Sequence, residues 1–224
     1  LAGAGANVCV VARGPEGLEE TADMLAALGS DAAFISADAT REEQVASMVK
    51  EVHEKYGKID ILLNSQGTVH LEPSTSFSTK EWERVMDVNV KGVLNGIAAV
   101  LPTFIEQKSG HVITTSSVAG LKAYPGCAVY GGTKWFVRDF MEVLRMESAM
   151  EGTNIRTATI YPAAINTELL GAITHKETAA GMAELYERYG ISPDRIANVV
   201  AFAIDQPDDT TINEFTVGPA NQPW

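Results

Sequence analysis

Cysteine is nearly absent: Cys9 and Cys127 are the two in 224 residues, and neither belongs to a C-x-x-C pair. This argues against a disulfide framework and a structural zinc site, and makes a reducing compartment, the cytoplasm, the expected location. Histidine is also sparse, and His53, His70, His111 and His175 share no i, i+4 or finger spacing. No metal site is expected, and all four read as surface or strand-end residues. Positive charge is in deficit, with 17 Lys+Arg against 29 Asp+Glu for a net −12, so no nucleic acid or anionic membrane is expected as a partner. Long apolar runs are missing too. Asn95, Gly96 and Pro102 interrupt the most hydrophobic stretch, residues 93–105, which falls short of the ~18 residues a membrane span needs. No secretory leader is expected. Finally, there is no G-x-G-x-x-G. The chain opens with Leu1-Ala-Gly-Ala-Gly-Ala-Asn7, where Gly3 and Gly5 run directly into a strand instead of opening a helix, so both glycines are read as structural.

What is present has the balance of a single folded unit spanning residues 1–224: 46% hydrophobic, 21% charged, with no linker or low-complexity tract. Short apolar runs at 7–12, 32–37, 59–64, 111–116, 154–160 and 213–217 alternate with longer amphipathic segments. That alternation predicts an α/β fold with a doubly wound parallel sheet between two layers of helices. Several of the runs are continuous, as strands covered on both faces should be. Thr40-Arg-Glu-Glu43 and Ser78-Thr-Lys-Glu81 have the spacing of capping boxes, Gly57 reads as a helix stop, and Ser192-Pro193 as a cap with a first-turn proline. Trp82 and Trp135 read as packing residues, and Phe136, Phe140 and Leu144 as an apolar helical stripe.

One spacing points to chemistry. Tyr130-Gly-Gly-Thr-Lys134 places a phenol and an ammonium on the same face of a helix. A tyrosine is a poor acid or base at neutral pH, and a neighbouring cation is expected to pull its pKa down toward the working range. Ser117 follows the polar end of a strand, where the carboxyl edge of a parallel sheet meets a ligand crevice, and its hydroxyl can donate to a substrate oxygen. Asn64-Ser-Gln-Gly67 ends the preceding strand. Asn89 lies inside a long helix, where asparagine lowers propensity and a polar duty is expected. Cys127 lacks a basic partner nearby in sequence, so a thiol nucleophile is not expected.

Together these residues resemble the short-chain dehydrogenase/reductase family, in its order and over essentially the whole chain. Tyr130 and Lys134 fall on its Y-x-x-x-K, Ser117 on its catalytic serine and Asn89 on its catalytic asparagine. Asn64-Ser-Gln-Gly67 resembles its N-N-A-G element with two letters changed. Tyr161-Pro-Ala-Ala-Ile-Asn-Thr167 is similar to its P-G-x-V-x-T, and Asn213-Glu-Phe-Thr-Val-Gly-Pro219 to the N-E-I-x-I-R-P ending of a group of aldehyde, ketone and hydroxy-acid reductases.

The resemblance implies a Rossmann-like three-layer α/β/α sandwich in which hydride passes between a nicotinamide and a carbonyl or secondary alcohol. Tyr130 would carry the proton, Lys134 would lower its pKa and hold ribose hydroxyls, Ser117 would bond the substrate oxygen, and Asn89 would position a water. Cofactor contacts are implied for Arg13, Asp38, Ala39, Asn64, Ser65, Gly67, Thr115, Tyr130, Lys134, Pro162, Ile165 and Thr167, and substrate contacts for Ser117, Val118, Tyr124 and Tyr130. Arg13 stands where an acid would bind a free ribose 2′-hydroxyl, so NADP(H) is favoured over NAD(H). Residues 168–188 break the βα pattern and read as a substrate lid, with Leu169, Leu170, Ile173, Met182, Leu185 and Tyr186 as its apolar cover. The family pairs helices near 79–107 and 130–150 across a dimer interface, so a homodimer or homotetramer is expected. The alternatives are an epimerase or dehydratase that recycles the hydride, and a non-catalytic NADP-binding regulator. The fold's first strand and Gly-rich turn are not in this sequence, and the expectation is a natural chain about 20 to 30 residues longer.

Overall fold

The computed structural model describes residues 1–223. In chain order the elements are β1 (Cys9–Ala12), α1 (Pro15–Ala27), β2 (Ala33–Ser36), α2 (Glu42–Tyr56), β3 (Ile61–Asn64), α3 (Thr79–Met86), a π-helical turn (Asp87–Lys91), α4 (Gly92–Gln107), β4 (Gly110–Thr115), α5 (Ala128–Glu151), β5 (Ile155–Pro162), α6 (Lys176–Tyr189), α7 (Asp194–Ile204) and β6 (Glu214–Val217). Every strand pairing is parallel. The strands form two ladders, β1-β2 and β3-β4-β5-β6, with no hydrogen-bonded pairing between β1 and β3 among the described residues.

Adjacent residues of β4 show why the strands read as unbroken apolar runs. Val112 enters a core with Val93, Ile97, Val100 and Phe104 of α4 and Val137, Met141 and Leu144 of α5. Its neighbour Ile113 points to the opposite face, into a core with Ala158, Ile160 and Val200. Helices therefore cover both faces of the four-stranded ladder, which is the expected three-layer sandwich. Each fully buried aliphatic or phenylalanine side chain here contributes about 1.5–3 kcal/mol. The continuous helix Thr79–Gln107 is long and apolar enough to cross a membrane by length and composition alone. Four of its apolar residues, Val93, Ile97, Val100 and Phe104, are nevertheless buried in the core with the sheet, while Met86 and Ile105 are exposed.

Several local expectations need correction. Neither capping box forms: α2 begins after Arg41 and α3 after Ser78 without a side-chain cap. The Thr40 hydroxyl donates to Asp38, two residues earlier, and the Ser78 hydroxyl to Glu72, six residues earlier, both at less than 3 Å, so carboxylates just upstream outcompete the helix ends. Pro193 is the residue before α7 rather than its first turn. Gly57 does end α2, in the left-handed conformation at φ 76°. Trp135 is exposed, not packed. His70 is buried instead of lying at the surface, while His111 stands at the start of β4, a strand end as expected, and is buried there.

Candidate active site

The carboxyl ends of the parallel strands gather the site. Beyond β4, the Ser116 hydroxyl donates to the Lys134 carbonyl at 2.9 Å, tying the strand end to α5. Ser117 then caps a short 3-10 turn, Val118–Gly120, its hydroxyl accepting from Ala119 N at 3.2 Å. Gly120 lets this turn lie directly on the backbone of α5. A Cβ there would stand 2.6 Å from Ser116 Oγ and 2.7 Å from the Lys134 carbonyl oxygen. That close approach sets the spacing between Ser117 and Tyr130.

Tyr130 and Lys134 lie one turn apart on α5 and are 8% and 4% exposed. The Lys134 ammonium donates to the Thr115 carbonyl at 3.0 Å and stands 5.7 Å from the Tyr130 ring centre. No carboxylate lies within salt-bridge distance of it among the described residues. Burial without a counter-charge brings the ammonium down to about 8. The expected lowering of the tyrosine does not occur in this state. Burial pushes the Tyr130 phenol up to about 12, against the opposing pull of the Ser117 hydroxyl and with Tyr186 and Cys127 adding to the rise. The physical reason is that Lys134 is drawn to a backbone carbonyl rather than to the phenolic oxygen. Tyr130 therefore holds its proton at neutral pH.

Asn89 occupies the π-helical turn, a helix irregularity that recurs at functional sites. It is 1% exposed, and its amide grips one residue by both backbone groups. Oδ1 accepts from Thr68 N at 2.8 Å, while Nδ2 donates to the Thr68 carbonyl at 2.9 Å and to Thr133 Oγ1 at 3.1 Å. Thr133 donates in turn to the Tyr130 carbonyl at 2.7 Å. Asn89 thus joins the segment after β3 to the second turn of α5, and one Oδ1 lone pair is left for any further partner. Sequence reading missed Thr68 and Thr133. Both were within reach of it, since one follows the Asn64-Ser-Gln-Gly67 element directly and the other lies inside the Tyr-Lys motif.

The remaining predicted residues separate into two groups. Arg13, Asp38 and Ala39 follow the ends of β1 and β2. Asp38 accepts from Thr40 N and Oγ1, both at 2.9 Å, and these bonds, with Arg13 and Arg41 nearby, hold its carboxyl below the ordinary value. The Ala39 carbonyl is held by Asn95 at 2.8 Å. Gly67 is open, and a Cβ on it would face Asn89 Oδ1 at 3.7 Å and Lys134 Nζ at 3.8 Å. Asn64 instead turns inward, its amide spent on Thr114 and Gln66, so its side chain serves the interior. Ile165 is likewise buried, bridging to Ile191, and Thr167 caps the turn Glu168–Ala172. Pro162 ends β5 half-buried, and Ser65 is exposed. A dinucleotide fits this edge on two counts: Lys134 spends one of its three N–H groups on protein, and Arg13 presents an exposed cation.

Over Tyr130 lies an apolar wall. Val69, Leu71, Ala119 and Ile173 are buried with it, and Tyr124, Cys127, Leu169, Leu170, Ala172 and Met182 pack against them. The segment expected as a lid supplies much of this cover, as the turn Glu168–Ala172 and α6. Val118 is half-buried in the adjoining turn. The Tyr124 hydroxyl is buried with no partner among the described residues. Burial pushes the Cys127 thiol up, which suits an unreactive wall residue.

The family profile described as short chain dehydrogenase matches residues 1–178. An uncharacterised oxidoreductase of Listeria innocua is 59% identical over 224 residues, covering all of this chain and 90% of that protein. A glycine betaine reductase of Emericella nidulans is 34% identical over 223 residues, which make up 17% of its length. Among solved structures, the closed form of a serine dehydrogenase complexed with NADP+ superposes with a TM-score of 0.89 at 29% identity, covering all of this chain and 89% of that one.

Proposed function

The chain belongs to the short chain dehydrogenase family of nicotinamide-dependent oxidoreductases, and on that premise we propose that it reduces a ketone or aldehyde with NADPH, and oxidises the corresponding alcohol in reverse, with Tyr130 as proton donor and acceptor. The observation that carries this reading is one buried site in which Ser117, Tyr130, Lys134 and Asn89 converge beneath an uncharged wall.

The nicotinamide, when bound, supplies the hydride to the carbonyl carbon. Everything else falls to the chain. The Ser117 hydroxyl donates to the carbonyl oxygen as negative charge grows there, a stabilisation worth about 3 kcal/mol for a well-placed donor. Tyr130 then yields its proton to the nascent alkoxide, a far stronger base than a phenolate even with the phenol raised to about 12. The Lys134 ammonium offsets the charge left on Tyr130, and its two remaining N–H groups suit ribose hydroxyls. Asn89 holds Thr68 and Thr133 in register with α5.

Arg13, exposed beyond β1, suits a 2′-phosphate, and the NADP+ bound by the related serine dehydrogenase supports that choice. The apolar wall suits a neutral carbonyl compound. Exposed Trp135, Val143, Met146 and Met150 on α5, with Ile105 on α4, support a homo-oligomer built on these helices. Two unpaired cysteines suit a reducing cytoplasm.

The test is a titration with NADPH and NADH followed by nicotinamide fluorescence, then a panel of carbonyl substrates. Preferential NADPH binding with turnover supports the reading, and Tyr130→Phe should abolish turnover while cofactor binding persists. Equal affinity for NADH overturns the role of Arg13. Failure to bind either nucleotide overturns the whole assignment.

A further inference from the structure

The lid rests on the body through apolar contact, which is non-directional and does not fix its seat. Apart from the local Thr167 cap, two polar contacts tie residues 168–175 to the body among the described residues. Arg84 Nη2 donates to the Ala172 carbonyl at 3.4 Å, and His70 Nδ1 meets Thr174 Oγ1 at 3.5 Å. Arg84 lies on α3, and its guanidinium is aimed by Glu81, one turn earlier, at 2.8 and 3.0 Å. Its other terminal nitrogen, Nη1, donates to Thr68 Oγ1 at 3.1 Å. Thr68 is the residue whose backbone N–H and carbonyl are both gripped by Asn89. One planar fork therefore touches the lid on one side and the segment held by Asn89 on the other. A lysine, with a point charge on a flexible stem, does not reproduce that two-acceptor geometry.

We propose that Arg84 is a positioning residue that couples the seating of the lid to the Thr68–Asn89 pair, so that closure over a substrate and the alignment of the reacting groups occur together. The inference rests on the reading of the site as a carbonyl reductase. When the lid seats, the Ala172 carbonyl fills one arm of the fork and Thr68 is held by the other. When the lid lifts, that arm is open, and Thr68 is held by a guanidinium that has lost its second anchor.

The experiment combines amide hydrogen exchange with steady-state kinetics on NADPH-bound wild type, R84M, R84K and T68V. In R84M, exchange across residues 168–176 should quicken about tenfold while the α4 and β4 core keeps its protection. The KM for the carbonyl should rise about tenfold and kcat fall about threefold, with NADPH affinity unchanged. R84K, reaching one oxygen at a time, should fall between R84M and wild type. T68V should lower kcat/KM as well, and R84M combined with T68V should be no worse than R84M alone within about twofold, because both break one chain of contacts. Unchanged lid protection in R84M, a fully active R84K, or simple additivity of the two substitutions each overturns the proposal. If wild type turns over no carbonyl while R84M still loosens the lid, the carbonyl-reductase reading fails and the latch stands.

Discussion

Replacing Lys134 by Met should make the protein more stable at neutral pH while abolishing turnover. The ammonium is 4% exposed, has one carbonyl acceptor, and meets no carboxylate within salt-bridge distance among the described residues. Burial lowers its pKa from 10.5 to about 8. The folded state therefore disfavours the charged form relative to the unfolded chain. Stability is at its lowest level, from this group, below pH 8 and recovers as pH rises toward 10.5. At roughly 1.4 kcal/mol per pH unit the charge costs about 3 kcal/mol at pH 7. Methionine fills a similar volume without charge, and leaving the Thr115 carbonyl without its donor costs about 1 kcal/mol. The net gain is about 2 kcal/mol, or a rise in Tm of roughly 4 to 8 °C for a domain of this size. Thermal unfolding of wild type and K134M without cofactor, at pH 7 and pH 10, measures it. The two Tm values should converge or cross at pH 10, and a K134M protein no more stable than wild type at pH 7, or a difference that ignores pH, would refute the reasoning.

Other expectations follow from the same contacts. Gly120→Ala forces a methyl between Ser116 Oγ and the Lys134 carbonyl, where distances of 2.6 and 2.7 Å leave no room. It should cost about 1–3 kcal/mol in urea unfolding and, by displacing α5 from Ser117, about tenfold to a hundredfold in kcat; wild-type kinetics would show that this approach does not set the site. His111 is 1% exposed with neither ring nitrogen partnered among the described residues, and burial, with Arg156 nearby, lowers it from 6.5 to about 4. The neutral ring is favoured in the fold, so its contribution is complete above pH 6.5 and is lost as pH falls through 4, by about 3 kcal/mol in all. His111→Leu should flatten the acid limb of the Tm profile relative to wild type, and identical limbs would count against it. Arg13→Glu should shift the ratio of NADPH to NADH affinity at least tenfold toward NADH, measured by nicotinamide fluorescence, and an unchanged ratio would remove Arg13 from cofactor choice.

Strands and the order of layers were legible in the sequence because burial on both faces leaves an unbroken apolar run, as at Val112 and Ile113. The Tyr-Lys spacing was legible because helical geometry alone puts residues four apart on one face. Helix starts were less so. Thr40 and Ser78 carry capping chemistry, but carboxylates just upstream, Asp38 and Glu72, take their hydroxyls, a local competition that the capping-box spacing by itself does not weigh. The burial of His70 and His111 and the inward turn of Asn64 were hidden for a different reason: each depends on packing against segments that only the tertiary structure brings near.

The tyrosine pKa is the most instructive divergence. Spacing correctly placed a cation one turn from a phenol, yet proximity along a helix does not decide where an ammonium points. The Thr115 carbonyl, at the end of a strand, presents a fixed acceptor 3.0 Å from Lys134 Nζ, while the dry wall around Tyr130 penalises a phenolate. Two opposite shifts result from the same burial, because desolvation resists charge of either sign: the phenol rises and the ammonium falls. With Tyr130 in the proposed role of proton donor, such a site favours the protonated acid before reaction and gains its cation–phenolate attraction only after the proton has left. That attraction is strongest on the product side of proton transfer, which is where stabilisation accelerates the step rather than merely tightening the ground state.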